Sequence, residues 1–372
     1  MILSPALPYF LSNFDTNTAE MTWPTSLLKP LKIQYPIIQA PMLGITTPEM
    51  VAAISNAGGL GSLPVGGLSP EKTQALIQQT KQLTDKPFAV NLFVHDIPEV
   101  NTTEATSMLS FLKDLSTQNN LVFDEPDINS LKFYSYKEQI DVLLEENISI
   151  ISFTFGIPDR ESIDTLKANN VFLIGTATSV NEAILLEKAG VDAISVQGIE
   201  AGGHRGSFIN EPLPQIGLMA LLPQVVDAVK VPVIASGAIK DGRTIKAALV
   251  LGAQAVQVGS VFLACNESLA IPAYKNRLAN IIDTETQLTR VFSGRWARGI
   301  SNKMMDEITL SGLVIPPYPI MNSLTTPLRV ASQKADNADY TNLWAGQAAG
   351  GAQQKPATQI FTDMVHSFES LG

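Results

Sequence analysis

The sequence is poor in the residues that form covalent or metal cross-links. Its 372 residues include one cysteine, Cys265, and three histidines, His95, His204 and His366. A single cysteine excludes a disulfide within the chain, and the absence of HExxH, CxxC or an acidic cluster predicts no metal site. Cys265 follows the apolar residues VFLA, so we interpret it as a small buried hydrophobic residue rather than a nucleophile.

Charged residues and long apolar runs are also scarce. Charged side chains make up 16% of the chain, and the formal net charge is −10. Nucleic-acid binding needs a basic surface, so a nucleic-acid partner is excluded. No apolar run approaches the about 18 residues of a membrane span. The start of the chain lacks the features of a signal peptide, so we expect an N-terminal arm, residues 1–21, on a soluble cytoplasmic protein.

Short apolar runs, rich in β-branched residues, recur along the rest of the chain. They are apolar almost throughout, as parallel strands buried on both faces are. The runs span residues 36–42, 60–65, 88–94, 148–156, 171–177, 193–198, 231–238 and 255–260.

Capped helical segments separate most of these runs. Ser69 and Pro70 are typical of a helix start, and the segments 179–190 and 241–252 each begin at a capping residue and close at a glycine. Eight strands alternating with helices predict an α/β fold, a (β/α)8 TIM barrel. An open doubly wound sheet, which requires no particular strand count, is the alternative.

Two segments exceed what such a barrel needs. Residues 95–147 separate the third and fourth runs by more than one connection requires, and they predict a helical insertion near the barrel mouth. Residues from 266 onward predict a C-terminal extension. No clear linker divides the chain, so we expect residues 22–372 to form one domain.

The ends of the last two runs carry a pattern typical of phosphate binding. Active sites of TIM barrels lie at the carboxyl ends of the strands, and phosphate sites are common after strands seven and eight. Gly237 with Ala238 follows one run, and Gly259 with Ser260 follows the other. Either pair alone is better explained as a chain turn, but the two together predict a phosphorylated ligand.

Three amide side chains lie at other strand ends. Gln39, Asn91 and Gln197 can each donate and accept hydrogen bonds, which suits the edge of a flavin ring. Each one taken singly is better explained by a hydrogen bond that satisfies a cap or a strand end. The chain has no acidic residue placed after a GxGxxG turn, so a built-in nicotinamide cofactor is not expected.

The stretch VQGIEAGGHRGSF, residues 196–208, places a histidine among glycines after the sixth run. Gly202 and Gly203 would let this loop pass close to a flat ligand, with His204 over its face or reactive edge. A neutral imidazole there can accept a proton, and an imidazolium can hold an anion. A histidine hydrogen-bonded at a loop corner is the alternative. His95 carries no comparable signal, and His366 is expected at the surface.

These residues also belong to longer pieces that resemble the nitronate monooxygenases, formerly 2-nitropropane dioxygenases, which are FMN enzymes on a TIM barrel. The resemblance covers residues 22–350, and NLFVHDIP and LWAGQAAG are similar to the class I enzymes in particular. The other matching pieces are PIIQAPM, AISNAGGLGSLP, GTATSVNEAILLEKAGVDAISVQGIEAGGHRG, VPVIASGAIKDGRTIKAALVLGAQAVQVGSVFL and FSGRWARGI.

The resemblance implies a role for individual residues. His204 matches the active-site histidine of the family. Two positions depart from the usual pattern, since Ala238 stands where a second glycine is usual and Ser260 where threonine is usual. The residues that match the FMN contacts are Met42, Asn91, Gln197, Gly202, Gly237, Ala238, Gln257, Val258, Gly259 and Ser260.

The implied reaction is oxidation of an alkyl nitronate by O2, which yields a carbonyl compound and nitrite. The implied substrate resembles propionate 3-nitronate, with His204 as the base for neutral nitroalkanes, and the implied protein is a monomer or homodimer. An FMN-dependent enoyl-acyl carrier protein reductase or an NADH:quinone reductase on the same barrel is an alternative, as is a non-catalytic flavin binder. Candidates for the substrate pocket are Tyr318, Tyr340, Trp344 and Gln347.

Overall fold

The structure, a computed structural model, describes residues 22–209 and 212–371. The predicted N-terminal arm, 1–21, lies outside the described residues. The strands in chain order are β1 (Ile37–Gln39), β2 (Ser62–Pro64), β3 (Ala89–Phe93), β4 (Ile150–Thr154), β5 (Phe172–Ala177), β6 (Ala193–Gln197), β7 (Gly203–His204), β8 (Val233–Ser236), β9 (Ala255–Val258), β10 (Thr286–Thr289) and β11 (Ala297–Ile300).

Eight of these strands form one parallel sheet in the order β1-β9-β8-β6-β5-β4-β3-β2. Each of the eight predicted runs contains one of them. A parallel bridge between Ile38 and Leu60, just before β2, closes the sheet on itself. The TIM barrel is therefore confirmed, and the open doubly wound sheet is wrong, because the first strand has neighbours on both sides.

The helices in chain order are α1 (Leu28–Leu31), α2 (Pro48–Asn56), α3 (Pro70–Leu83), α4 (Thr102–Gln118), α5 (Lys137–Glu145), α6 (Arg160–Ala168), α7 (Val180–Ala189), α8 (Leu218–Ala228), α9 (Gly242–Val250), α10 (Pro272–Ala279), α11 (Lys303–Leu310), α12 (Ile320–Lys334) and α13 (Ala357–Glu369). None of them is long and apolar enough to cross a membrane, within the ranges described.

The predicted helix starts are present. Ser69 Oγ accepts from the backbone N–H of Lys72, and Ser179 caps α7 in the same way. Gly190 ends α7 with φ 96°, a conformation that glycine adopts without strain. Asp241 and Thr244 form a reciprocal capping box at the start of α9. These caps set where each helix leaves the barrel.

The barrel interior is apolar at its lower end. Buried residues from the barrel strands, among them Ile150, Ile174 and Ile234, pack together there in one cluster with Leu27 and Leu31. Burial of one such side chain stabilises the fold by roughly 1.5–3 kcal/mol. Because these side chains fill the lower end, the barrel is open to a ligand at the end where the strands finish.

The insertion and the C-terminal extension meet over that open end. Helix α4 packs against α12. Buried residues of α4, α11 and α12, such as Met108, Met304 and Leu324, form a second core. The last helix of the insertion, α5, and the last helix of the extension, α13, lie outside this second core. Helices α5 and α13 pack against barrel helices, α5 beside α3 and α13 between α9 and α2, so both belong to the outer ring.

Candidate active site

A cavity of about 420 Å³ opens at the carboxyl ends of the barrel strands. The side chain of Val258 is not on its wall, because that residue is fully buried in the core and its carbonyl accepts from the Ala40 N–H. The other ten predicted site residues line the cavity together: Met42, Asn91, Gln197, Gly202, His204, Gly237, Ala238, Gln257, Gly259 and Ser260.

The two predicted phosphate loops lie side by side on this wall, since β8 and β9 are neighbours. Gly237 has φ 123° and Ala238 has φ 55°, so the alanine that replaces the usual glycine adopts a left-handed conformation. Ser260 Oγ accepts the Gly346 N–H at 2.9 Å. Because that bond uses a lone pair, the Ser260 hydroxyl proton is free for an anion in the cavity.

The three amide side chains make different hydrogen bonds. Gln39 is fully buried, and its side chain bonds to the Ser62 N–H and to Thr46, so it does not face the cavity. Gln197 bonds to both sides of the loop that follows β6, through the His204 carbonyl and the Gly206 N–H. Asn91 donates to Ser152 Oγ, and both residues line the cavity.

Packing and backbone conformation each give a reason for one of the glycines beside His204, and both glycines line the cavity. A Cβ on Gly202 would lie 2.5 Å from the backbone carbon of Ala345 and would also overlap the Gly346 nitrogen. Gly203 has open space around it but a φ of +74°. Packing of the C-terminal segment against the loop therefore requires Gly202, and backbone conformation favours glycine at position 203.

The His204 loop is held rigidly. Residues Gly203 and His204 form β7, which pairs antiparallel with β11 in a small second sheet. Beyond it, the buried Glu182 carboxylate on α7 accepts the N–H groups of Phe208 and Ile209 at 2.7 and 3.1 Å. Secured on both sides, the imidazole has a defined position at the cavity wall.

The imidazole itself is set among aromatic rings and one hydroxyl. Nε2 of His204 lies 2.7 Å from Ser293 Oγ. The ring centroids of Trp344 and Phe155 lie 5.3 and 5.6 Å from that of His204, and Tyr318 lies at 6.2 Å. No partner for Nδ1 is found among residues 22–209 and 212–371, so Nδ1 is the ring nitrogen left for a ligand.

The surroundings of His204 disfavour its charged form. Burial, together with the positive charges of Arg295 and Arg329, lowers the pKa of His204 to about 3. The imidazole is therefore neutral at physiological pH.

Buried and half-buried guanidinium groups surround the site, and they donate mainly to backbone carbonyls. Arg205 donates to the Gly198 and Gln197 carbonyls and Arg298 to the Ile199 carbonyl. Arg295 donates to the Ser207 carbonyl. No ion pair to any of them, or to Arg329, is found in the described part of the chain. Buried cations are costly unless compensated, so this arrangement favours anions at the site.

Phe155 is strained where it meets the cavity. Its φ is 77°, which is unusual for a bulky residue, and the Arg295 guanidinium lies 4.2 Å from its ring centroid. Strain of this kind is typical of functional sites because the surroundings must hold it in place. The ring forms part of the wall beside His204.

Of the four C-terminal candidates for the substrate pocket, one lines the cavity and three do not. Trp344 lines the cavity, whereas the Tyr318 side chain lies behind Phe155 and His204. Tyr340 is buried in the second core and donates to Glu307, so it is not a pocket residue. The Gln347 side chain is exposed, and only its backbone N–H is used, by the Glu200 carbonyl.

The two other histidines and the cysteine do not line the cavity. His95 packs against the far side of Tyr318 at 4.7 Å. His366 is exposed, as expected, although it lies on the amphipathic helix α13 rather than in a polar tail. Cys265 is fully buried, and burial raises the pKa of its thiol to about 12, which fits a hydrophobic residue rather than a nucleophile.

Sequence reasoning missed Ser293, Phe155 and Arg329. Ser293 lies in the FSGRWARGI piece, which resembles the family, but the sequence does not indicate that its hydroxyl contacts His204. Arg329 lies in the middle of α12, where an arginine is ordinarily a surface residue. Nothing in the local pattern marks it.

The chain matches the family model for nitronate monooxygenase over residues 25–367. It is 41% identical over 347 residues to a probable nitronate monooxygenase of Staphylococcus aureus strain JH9, covering 93% of this chain and 97% of that protein. A nitroalkane oxidase structure from Streptomyces ansochromogenes superimposes with a TM-score of 0.84 at 35% identity, covering 93% of this chain and 98% of the other. FabK from Thermotoga maritima gives 0.74 at 27% identity, covering 94% and 97%.

A TIM barrel with a neutral histidine and several guanidinium groups at its mouth is the framework of an enzyme site. The chain belongs to the nitronate monooxygenase family, and it is accordingly an oxidoreductase.

Proposed function

We propose that this protein oxidises alkyl nitronates with O2, with FMN as cofactor, to a carbonyl compound and nitrite. The observation that carries the proposal is the neutral imidazole of His204 on the wall of a cavity that also holds both phosphate-type loops. Family membership and the similarity to a nitroalkane oxidase support the same reaction class.

The residues of the cavity fit FMN. Backbone N–H groups at Gly237, Ala238 and Gly259, with the Ser260 hydroxyl, would hold the phosphate, because each can donate to an anion. Asn91, Gln197 and Gln257 would contact the polar edge of the ring system. Bound there, FMN would supply the electron chemistry between the nitronate and O2.

The electrostatics favour a substrate that arrives as an anion. A nitronate carries a negative charge that the unpaired guanidinium groups around the site would stabilise. The low pKa of His204 makes its imidazole a weak base, so removal of a proton from a neutral nitroalkane would be slow. We therefore propose the preformed nitronate as the substrate, and not the neutral nitroalkane.

His204 then has a positioning and polarising role at the substrate. Ser293 holds Nε2, and Nδ1 remains for the nitronate oxygens or the adjoining carbon. Phe155 and Trp344 border the same space and would exclude water from the reacting atoms.

The test uses purified full-length protein. We would record its visible spectrum, identify the released flavin, and measure oxygen uptake and nitrite release with propionate 3-nitronate in air without NADH. A yellow protein that contains FMN and releases nitrite supports the proposal. A protein that is inactive with nitronates but is bleached by NADH supports the reductase alternative, to which the FabK similarity also points. A protein that cannot take up flavin contradicts both.

A further inference from the structure

Glu182 is the only fully buried acidic side chain among the residues that the structure describes. It is the third residue of α7, close to the start of that helix, and it does not line the cavity. Burial of a carboxylate is costly unless hydrogen bonds satisfy both of its oxygens. None of the steps proposed at the cavity uses this group, so its burial has another cause.

The Glu182 carboxylate joins the end of a barrel strand to the loop that carries His204. Its Oε2 accepts the N–H and the hydroxyl of Thr178, directly after β5, at 2.6 and 2.7 Å. Its Oε1 accepts the N–H groups of Phe208 and Ile209 at 2.7 and 3.1 Å. One side chain therefore fixes the far end of the His204 loop to the frame of the barrel.

Only a carboxylate can satisfy these four groups together. Three of them are backbone N–H groups, which donate and cannot accept. A glutamine has an NH2 group in place of one oxygen, so at least one N–H of the loop or of Thr178 would face another donor. A buried donor without a partner is destabilising, and the contact on that side would open. The negative charge of Glu182 is thus part of how the loop is held.

A favourable position at the start of α7 does not account for the whole arrangement. The positive end of the helix dipole stabilises an acidic residue in the first turn. An exposed side chain is sufficient for that purpose, as Glu161 shows in the first turn of α6. Glu182 is buried instead, and two of its four partners belong to the loop and not to the helix.

Arg295 holds the same part of the loop with the opposite charge. Its guanidinium donates to the Ser207 carbonyl, which belongs to the same peptide group as the Phe208 N–H. Burial lowers the pKa of Arg295 to about 10, and the charge of Glu182 acts in the opposite direction. A cation therefore binds the oxygen of this peptide group and an anion binds its N–H, and each charge partly offsets the burial cost of the other.

Little chain separates this peptide group from the imidazole. Only Arg205 and Gly206 lie between Ser207 and His204. A Cβ on Gly206 would lie 2.6 Å from Thr176 Cγ2 and 2.8 Å from Thr154 Oγ1, so the segment rests directly on the ends of β4 and β5. A shift of the backbone at the anchored end would therefore be passed on to His204.

We propose that Glu182 is a positioning residue for His204, and that its carboxylate keeps the imidazole in one orientation toward the substrate by holding the loop against the barrel. The inference rests on the proposed function. Because precise placement of a polarising group contributes strongly to rate, loss of the anchor should lower turnover more than substrate affinity.

The test measures kcat for propionate 3-nitronate per molecule of bound flavin, so that unfolded or empty protein does not contribute. We expect Glu182→Gln to lower this kcat about 10- to 100-fold, with a smaller change in KM. Glu182→Asp keeps both oxygens on a side chain shorter by one methylene, and it should restore part of kcat.

Glu267→Gln is the matched control. The Glu267 carboxylate also anchors a backbone N–H, that of Ala357 at the start of α13, away from the His204 loop. This variant should lose stability while kcat per bound flavin stays at the wild-type value.

Three results would overturn the inference. An unchanged kcat per bound flavin in Glu182→Gln would leave Glu182 with a role in stability only. A kcat in Glu182→Asp as low as in Glu182→Gln would show that the carboxylate is not the required feature. If Glu182→Gln does not fold, Thr178→Val, which removes one donor and keeps the charge, replaces it. It should lower kcat about 2- to 5-fold, and an unchanged kcat there would be the third.

A second readout does not depend on turnover. The chain has three histidines, so the imidazole NMR signals of His204 can be assigned by comparison with His204→Gln. We expect Glu182→Gln to shift or broaden these signals and Glu267→Gln to leave them in place, and unchanged signals in Glu182→Gln would overturn the positioning role. If the wild-type protein oxidises no nitronate, the proposed function fails, whereas this measurement still decides whether Glu182 positions the imidazole.

Discussion

Ser293 Oγ lies 2.7 Å from His204 Nε2, although 89 residues separate the two along the chain. The hydroxyl is almost fully buried and also receives the Arg295 N–H at 3.3 Å. It therefore fixes the rotation of the imidazole from the side of the C-terminal extension. The barrel supplies the histidine, and the extension determines how it is oriented.

Replacement of Ser293 by alanine should weaken catalysis more than stability. One buried hydrogen bond contributes about 1 kcal/mol, so we expect kcat/KM for a nitronate to fall about 5- to 10-fold while flavin content stays the same. Ser301→Ala, which removes a hydroxyl that bonds to the Glu285 carbonyl away from the cavity, is the matched control. Equal kinetics in Ser293→Ala and the wild type would show that the contact does not orient His204.

The low pKa of His204 predicts a pH effect on stability. Folding lowers the pKa of His204 from 6.5 to about 3, so the unfolded chain binds this proton more readily. The wild type should lose stability as the pH falls below about 6.5, and this part of the loss should be absent from His204→Gln. Between pH 7 and pH 5 the difference in unfolding free energy between them should change by about 2 kcal/mol.

Urea unfolding at the two pH values measures this effect, with the exposed His366→Gln as the companion variant. Parallel pH profiles for His204→Gln and the wild type would contradict the assigned environment. The same low pKa predicts that no ionisation of His204 appears in the nitronate rate between pH 5 and pH 8.

Ala238→Gly should stabilise the phosphate loop. Ala238 has φ 55°, and a left-handed conformation costs a non-glycine residue about 1–2 kcal/mol. Glycine removes that strain but loses more entropy on folding, which leaves a net gain of about 0.5–1 kcal/mol. Urea unfolding checks the gain against Ala220→Gly, at an exposed position of helix α8, which should lose stability instead. A loss in both variants would mean that the loop is not strained.

Gly202→Ala should displace the C-terminal segment. The added Cβ would lie 2.5 Å from the Ala345 backbone carbon, and backbone atoms cannot yield as a flexible side chain can. We expect a loss of roughly 1–3 kcal/mol in unfolding free energy together with weaker flavin retention. The control is Gly203→Ala, which meets no atom within 4 Å but has a strained φ of +74°. A smaller loss with retained flavin in that variant would separate packing from backbone strain.

The sequence by itself predicted the barrel and the edge at which its site lies. Eight apolar runs, the Ser69, Ser179 and Asp241 caps and the glycine after α7 are local signals, because strand burial and helix capping depend on residues close together in the chain. The ends of the strands follow from the barrel geometry, so Gly237, Ser260 and His204 could be assigned to one cavity, although their roles in binding and catalysis stay predictions.

Tertiary structure alone decided the chemistry of that cavity. The neutral state of His204 comes from burial and from Arg295 and Arg329, both far from it in the sequence. The positions of α5 and α13 in the helix ring, and the need for Gly202 against Ala345, also arise from long-range packing. Such effects depend on which atoms meet after folding, and a local pattern of residue types does not contain that information.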